Sequence, residues 1–185
     1  MTLSDKRIKE YLDSGKIQIL PNYREKDIRP AGIRVHLADE ILVPEDDQTI
    51  DLDQPEKIRY KKISLSKSDF ILNPNTFILG STCEKIKMPR NIIGKIDGRS
   101  TIARLGIMIH CTSDTIDGNY DEARSIVFEI KNIGNFKIIL KNNTPLGMII
   151  FNELTSEIVQ KSQSQYKNQN FVTPPNIKFQ PGKDK

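Results

Sequence analysis

The 185-residue chain has no tryptophan, two histidines and two cysteines, and 6% of its residues are aromatic. Each scarcity excludes something. Two cysteines, Cys83 and Cys111, are too few for a disulfide framework or a four-ligand metal centre, and buried reduced thiols are the expectation for them. His36 and His110 stand 74 positions apart, and neither the H-x-E nor the P-C-x-x-C element of zinc-dependent deaminases occurs. Phosphate loops of the G-x-x-x-x-G-K-S/T and G-x-G-x-x-G types are also missing. No apolar run approaches the roughly 18 residues of a membrane span. Basic residues are spread along the chain without interleaved aromatics, which argues against a nucleic-acid surface. A net charge of +4 with pI near 9.0 still permits an anionic ligand.

What remains is ordinary for one globular domain: 37% hydrophobic residues, 28% charged residues and a mean hydropathy of -0.46. The charged N-terminal stretch makes cytoplasmic residence the default expectation. Ser4 reads as an N-cap, Leu3 and Ile8 as a hydrophobic staple, and Gly15 as the stop of one short amphipathic helix. Short β-type runs follow at Ile33–Leu37, Phe70–Leu72, Phe77–Leu79, Ile92–Ile96, Ile126–Ile130, Phe136–Leu140 and Met148–Phe151. Turn residues such as Asn73-Pro74-Asn75, Gly118-Asn119 and Gly134-Asn135 punctuate them. This pattern predicts a mainly β domain, a sandwich or barrel with one N-terminal helix, over residues 1–155. Residues 156–185 have few apolar positions and no periodicity, and are expected to be mobile or to order on contact with a ligand or neighbour.

Three places carry candidate chemistry. In Asp97-Gly98-Arg99-Ser100-Thr101-Ile102-Ala103-Arg104, a glycine for a tight turn precedes two arginines and two hydroxyls at the start of a helical turn, a coherent phosphate-binding arrangement. An N-capped surface turn with solvated arginines fits the same residues. In Ile126-Val127-Phe128-Glu129-Ile130, alternation puts Val127 and Glu129 opposite the core-facing residues, and a carboxylate among apolar neighbours suits general acid/base work. An exposed Glu on an outer sheet face is the plainer alternative. Asp117 ends a strand before a turn, where it either bonds its own backbone or meets a ligand.

In order and spacing these features resemble dCTP deaminases. The matching residues run Gly98 to Thr112, then Ile116-Asp117, then Val127-Phe128-Glu129, with the N-terminal Leu3-Ser4-Asp5, Arg29-Pro30-Ala31, and the tail residues Tyr166-Lys167-Asn168-Gln169 and Thr173-Pro174. The resemblance implies a distorted β-barrel shared with trimeric dUTPases, and a homotrimer with active sites at subunit interfaces. It implies zinc-independent hydrolysis of dCTP to dUTP and ammonia, in which Glu129 activates the water while Ser100 and Arg104 position it and stabilise charge. Arg99, Ser100 and Thr101, with Ile102 and Ala103 in the same turn, would hold the triphosphate, and Mg²⁺ would be bound through that triphosphate rather than by protein ligands. Asp117 would accept from the deoxyribose 3′-hydroxyl, the backbone at Val127 and Phe128 would read the pyrimidine, and Tyr166 and Gln169 would close over the phosphates. Inhibition by dTTP is a habit of the family.

The chain departs from the family pattern in several places. Two extra residues lie between Asp117 and Glu129, Arg34 stands where Asp is common, Gln165 stands where a tail Lys is common, and a further phosphate-contacting Tyr has no counterpart. Three readings follow: deamination alone; deamination followed by diphosphate release to dUMP, or dUTP hydrolysis, with Tyr120 packed under the sugar; and a nucleotide sensor without catalysis.

Overall fold

A computed structural model of the chain describes residues 1–52, 58–118, 120, 122–160, 166 and 169–177. Helix α1 spans Asp5–Asp13 and buries Ile8 and Tyr11. Ser4 holds the N-cap position, and its carbonyl accepts from the Ile8 N–H at 2.8 Å, but its hydroxyl makes no capping bond. The helix is instead moored from outside, because the Asp5 N–H donates to the Pro30 carbonyl at 3.0 Å. Gly15, at φ +69°, ends it in a conformation that residues with a Cβ rarely adopt.

The strands are β1 (Gln18–Leu20), β2 (Ile28–Arg29), β3 (Gly32–His36), β4 (Glu40–Pro44), β5 (Tyr60–Ser64) and β6 (Phe70–Leu72). Then come β7 (Phe77–Lys87), β8 (Ile92–Gly98), the one-turn helix α2 (Ser100–Ala103), β9 (Ile107–Met108), β10 (Thr115–Ile116), β11 (Arg124–Asn132), β12 (Ile138–Leu140) and β13 (Pro145–Glu153). One sheet runs β5-β4-β7-β11-β9 with β1 also on β7, a second runs β10-β8-β13-β3-β2, and β12 pairs β6. Every ladder among the described residues is antiparallel. The two larger sheets enclose one apolar core and make the distorted, mainly β architecture expected from the sequence. No described helix is long and apolar enough to cross a membrane.

Strand β11 shows why the register is fixed. Ile126, Phe128 and Ile130 are at most 9% exposed, while Val127 and Glu129 alternate with them at the surface. Burying a side chain such as Phe128 contributes about 1.5–3 kcal/mol, and a one-residue slip would forfeit that at three positions while forcing Glu129 inward. The ladder with β7 is interrupted between Ser125, opposite Lys85, and Val127, opposite Ser81. There the Thr82 hydroxyl accepts from the Ile126 N–H at 2.9 Å and donates to the Glu84 carbonyl at 2.6 Å, replacing backbone bonds that the mismatch removes. The extra residues of this irregularity lie on β7. No bulge in β11 between Arg124 and Glu129 accounts for the longer Asp117-to-Glu129 spacing.

His36 is structural. It is 3% exposed, with Nδ1 2.6 Å from Glu84 Oε1 and Nε2 2.6 Å from Arg24 Nη2. The two cysteines are free, but the expectation that both are buried fails: Cys83 is half-buried and Cys111 exposed. Cys111 follows the short β9 onto a loop outside the core. Burial pushes the Cys83 thiol up to about 11, so at pH 8 almost none of it is thiolate. Burial and the Glu129 carboxylate raise the Cys111 thiol as well, but Cys111 is exposed, so an alkylating reagent at pH 8 should modify Cys111 and largely spare Cys83, as peptide mapping by mass spectrometry would read.

Candidate active site

A cavity of about 350 Å³ opens along the outer face of β11. Ser125, Ile126, Val127 and Glu129 form one wall, with Phe77 and Leu79 from β7 beside them. Thr115, Ile116 and Tyr120 line the side toward β10, and Tyr166, Gln169, Thr173 and Pro175 cover it from the C-terminal segment. The lining mixes apolar side chains such as Phe77, Leu79, Ile116 and Val127 with polar ones such as Thr115, Ser125, Glu129 and Gln169, which can orient a small polar molecule.

Glu129 enters the cavity because the alternation of β11 points it away from the core. Its N–H donates to the Ile109 carbonyl at 3.0 Å, and its Oε2 accepts from the Cys111 N–H at 2.9 Å. The segment after β9 thus runs beside β11 and fixes the carboxylate. Among the described residues no donor reaches Oε1, which leaves one carboxylate oxygen free to take a proton. Tyr120 sits at the opposite end. Burial raises its hydroxyl pKa, the nearby Arg124 guanidinium opposes that shift, and the Asp117 carboxylate adds to it. Asp117 itself is exposed, next to Ile116 on the cavity rim.

Of the residues singled out from the sequence, the cavity gathers Glu129, Val127, Tyr166 and Gln169. Asp117 stands just outside the lining. Phe128 is wholly buried with its side chain in the core, so only its backbone, paired with Gly80, faces this sheet edge. Arg99, Ser100, Thr101, Ile102, Ala103 and Arg104 do not line the cavity. Helix α2 lies instead beyond the far end of β11, where the Ile133 N–H donates to the Gly106 carbonyl at 2.8 Å and Gly134 packs so closely that a Cβ on Gly106 would meet its Cα at 2.5 Å. Ser100, Thr101, Ala103 and Arg104 are all exposed there. Arg99 is partly buried, donates from Nη1 to the Pro145 carbonyl at 2.7 Å, and has its pKa lowered by burial and by the like charges of Arg34 and Arg29. Gly98 closes β8 without positive φ, and a Cβ there would meet nothing within 4 Å, so no tight turn demands the glycine.

Asn119, Gln165, Lys167 and Asn168 lie outside the described residues. The C-terminal segment that is described docks more firmly than its polarity predicts. Gln169 is 8% exposed and Val172 7%, the latter packed on Leu42 and Leu79. Sequence reasoning also missed Arg124, which lines the cavity at 7% exposure; an arginine at a strand start carries no signal of burial. Among the described residues, no group of three or more His, Cys, Asp or Glu side chains is placed to hold a metal ion.

The fold is shared with the crystal structure of 2′-deoxycytidine 5′-triphosphate deaminase from Agrobacterium tumefaciens, with a TM-score of 0.64 at 17% identity over 82% of this chain. This chain spans 47% of that one, about half its length. Residues 2–154 match the family described as dCTP deaminase-like, and the chain belongs to that family. A dCTP deaminase from Haemophilus influenzae is 34% identical over 91% of this chain and 93% of its own length. A relative from Methanosphaera stadtmanae, named dCTP deaminase, dUMP-forming, is 35% identical over 83% of this chain and 80% of its own length.

Proposed function

We propose that this protein hydrolyses the 4-amino group of dCTP, taken as its magnesium complex, to give dUTP and ammonia without a protein-bound zinc ion. The observation that carries this reading is the Glu129 carboxylate on the cavity wall, with Oε2 held by the Cys111 N–H and Oε1 bonded by no donor among the described residues. Oε1 takes a proton from water as the oxygen attacks C4 of the cytosine ring, and the proton then passes to the departing amino group. The backbone at Val127 and Phe128 reads the pyrimidine edge, and Asp117 on the rim accepts from the 3′-hydroxyl.

The second half of the site comes from a neighbouring copy in a homotrimer. In that arrangement Ser100 and Arg104 of α2 orient the water and stabilise charge developing on the ring. Arg99, Ser100 and Thr101, with the backbone of Ile102 and Ala103, grip the triphosphate, and Tyr166 and Gln169 cover it. The support for a shared site is the separation within one chain. Glu129 lies about 10 Å along β11 from Asn132, where the α2 connection begins, because a strand rises about 3.3 Å per residue, and α2 is exposed beyond that point.

The second reading, deamination followed by hydrolysis to dUMP, draws on the name of the Methanosphaera relative and on Tyr120 standing beside Asp117. Incubating the protein with dCTP and Mg²⁺ and separating the nucleotides decides between them. Accumulating dUTP supports deamination alone, dUMP supports the second reading, and unchanged dCTP removes both. Protein stripped with a strong zinc chelator and resupplied with Mg²⁺ should retain its full rate. Recovery that requires zinc would overturn the mechanism.

A further inference from the structure

Arg124 belongs to none of the roles assigned so far. It opens β11 at 7% exposure. Its guanidinium carbon lies 3.1 Å from the centroid of the Tyr120 ring, and its Nη1 donates to the Tyr166 carbonyl at 3.3 Å. Arg124, Tyr120 and Tyr166 all line the cavity. The next residue continues the attachment: the Ser125 N–H donates to the Gln169 carbonyl at 3.3 Å, Gln169 Nε2 donates to the Ser125 carbonyl at 3.2 Å, and Ser125 Oγ donates to the Asn170 carbonyl at 3.3 Å. The segment also bonds within itself, with the Asn176 N–H on the Tyr166 hydroxyl at 3.0 Å and Thr173 Oγ1 on Gln169 Oε1 at 3.1 Å. Two successive residues of one strand therefore hold Tyr166, Gln169 and Asn170, and Arg124 also stacks on Tyr120.

We propose that Arg124 is a positioning residue, a clip that holds the C-terminal segment over the cavity before any nucleotide arrives and thereby sets nucleotide affinity. A planar guanidinium can stack on an aromatic face while its in-plane N–H groups point outward to an acceptor, and both contacts are strongest when water is excluded. Here the face is Tyr120 and the acceptor is a backbone carbonyl of the segment, so losing the arginine loosens that segment and one wall together. A binding segment already docked spends less ordering entropy when the ligand binds, so loosening it raises KM and leaves the chemical step at Glu129 alone. The effect on KM rests on the cavity being the nucleotide site; the effect on docking does not.

The test compares Arg124→Ala and Arg124→Lys in the full chain and in a chain ending at Gln163. Chymotrypsin cleavage after the exposed Phe171, followed without nucleotide, reads docking directly, since cleavage tracks the population of the open segment. For Arg124→Ala in the full chain, cleavage should quicken about tenfold and KM for dCTP rise about tenfold, the loss of one charge-assisted contact, with kcat within about twofold. Arg124→Lys, which keeps the charge and a donor but not the plane, should fall between. In the shortened chain Arg124→Ala should change KM by less than about twofold, because coupled residues are not additive. Unchanged cleavage, or an equal rise in KM in both chain lengths, overturns the proposal. Should Arg124→Ala not fold, Arg124→Lys carries the same comparison. If the wild-type protein does not deaminate dCTP, the cleavage arm still decides the clip, so failure of the clip and failure of the proposed reaction remain distinguishable.

Discussion

Glu129→Gln should lower kcat for ammonia release by about a thousandfold or more while the Kd for dCTP stays within about threefold, since general base catalysis contributes about 10²–10⁴ and a neutral amide keeps the shape. The structure sharpens this expectation. An amide oxygen at the Oε2 position still accepts from the Cys111 N–H, so the side chain stays in place, but the atom replacing Oε1 is then an NH₂ that cannot take a proton. Single-turnover ammonia release and equilibrium binding of dCTP measure the two quantities separately. Retention of more than a few per cent of kcat removes Glu129 from its role.

The second large effect is a recovery. Arg104→Ala and Glu129→Gln should each be nearly inactive alone. Mixed and allowed to exchange at equal amounts, they should regain about a quarter of wild-type activity if every site takes its glutamate from one copy and its arginine from the next, as in a closed heterologous ring. The expectation comes from the position of α2, exposed beyond the Asn132 end of β11, while the cavity occupies the Arg124 end. No recovery, despite subunit exchange shown by mass, would place both residues in one chain's contribution to the site.

Some of this was legible in the sequence and some was not, for physical reasons. The alternation of Ile126 to Ile130 announced both the strand and the side on which Glu129 stands, because a period of two permits only one arrangement with a buried face. Helix α1 was legible from Ser4 at its start and Gly15 at its stop, and the α2 turn from the run Ser100 to Gly106, whose glycine takes positive φ, although no side chain caps either helix. Strand β5, Tyr60-Lys61-Lys62-Ile63-Ser64, was not, since it has no continuous apolar face and owes its place to pairing with β4. The docking of the C-terminal segment was hidden for a related reason. Its polar residues are satisfied by Ser125, more than 40 positions away, and a lone Val172 fills a notch made by Leu42 and Leu79. Arg124 was hidden most completely, because its burial depends on Tyr120 and Tyr166 together, and no local pattern encodes such a meeting.

The central claim, that water replaces the 4-amino group of dCTP, is tested most directly by turnover in oxygen-18-labelled water with Mg²⁺ and mass analysis of the products. The account predicts one labelled oxygen on the base of dUTP for each ammonia released, with none in the phosphates. Label found in phosphate with no ammonia released would contradict it.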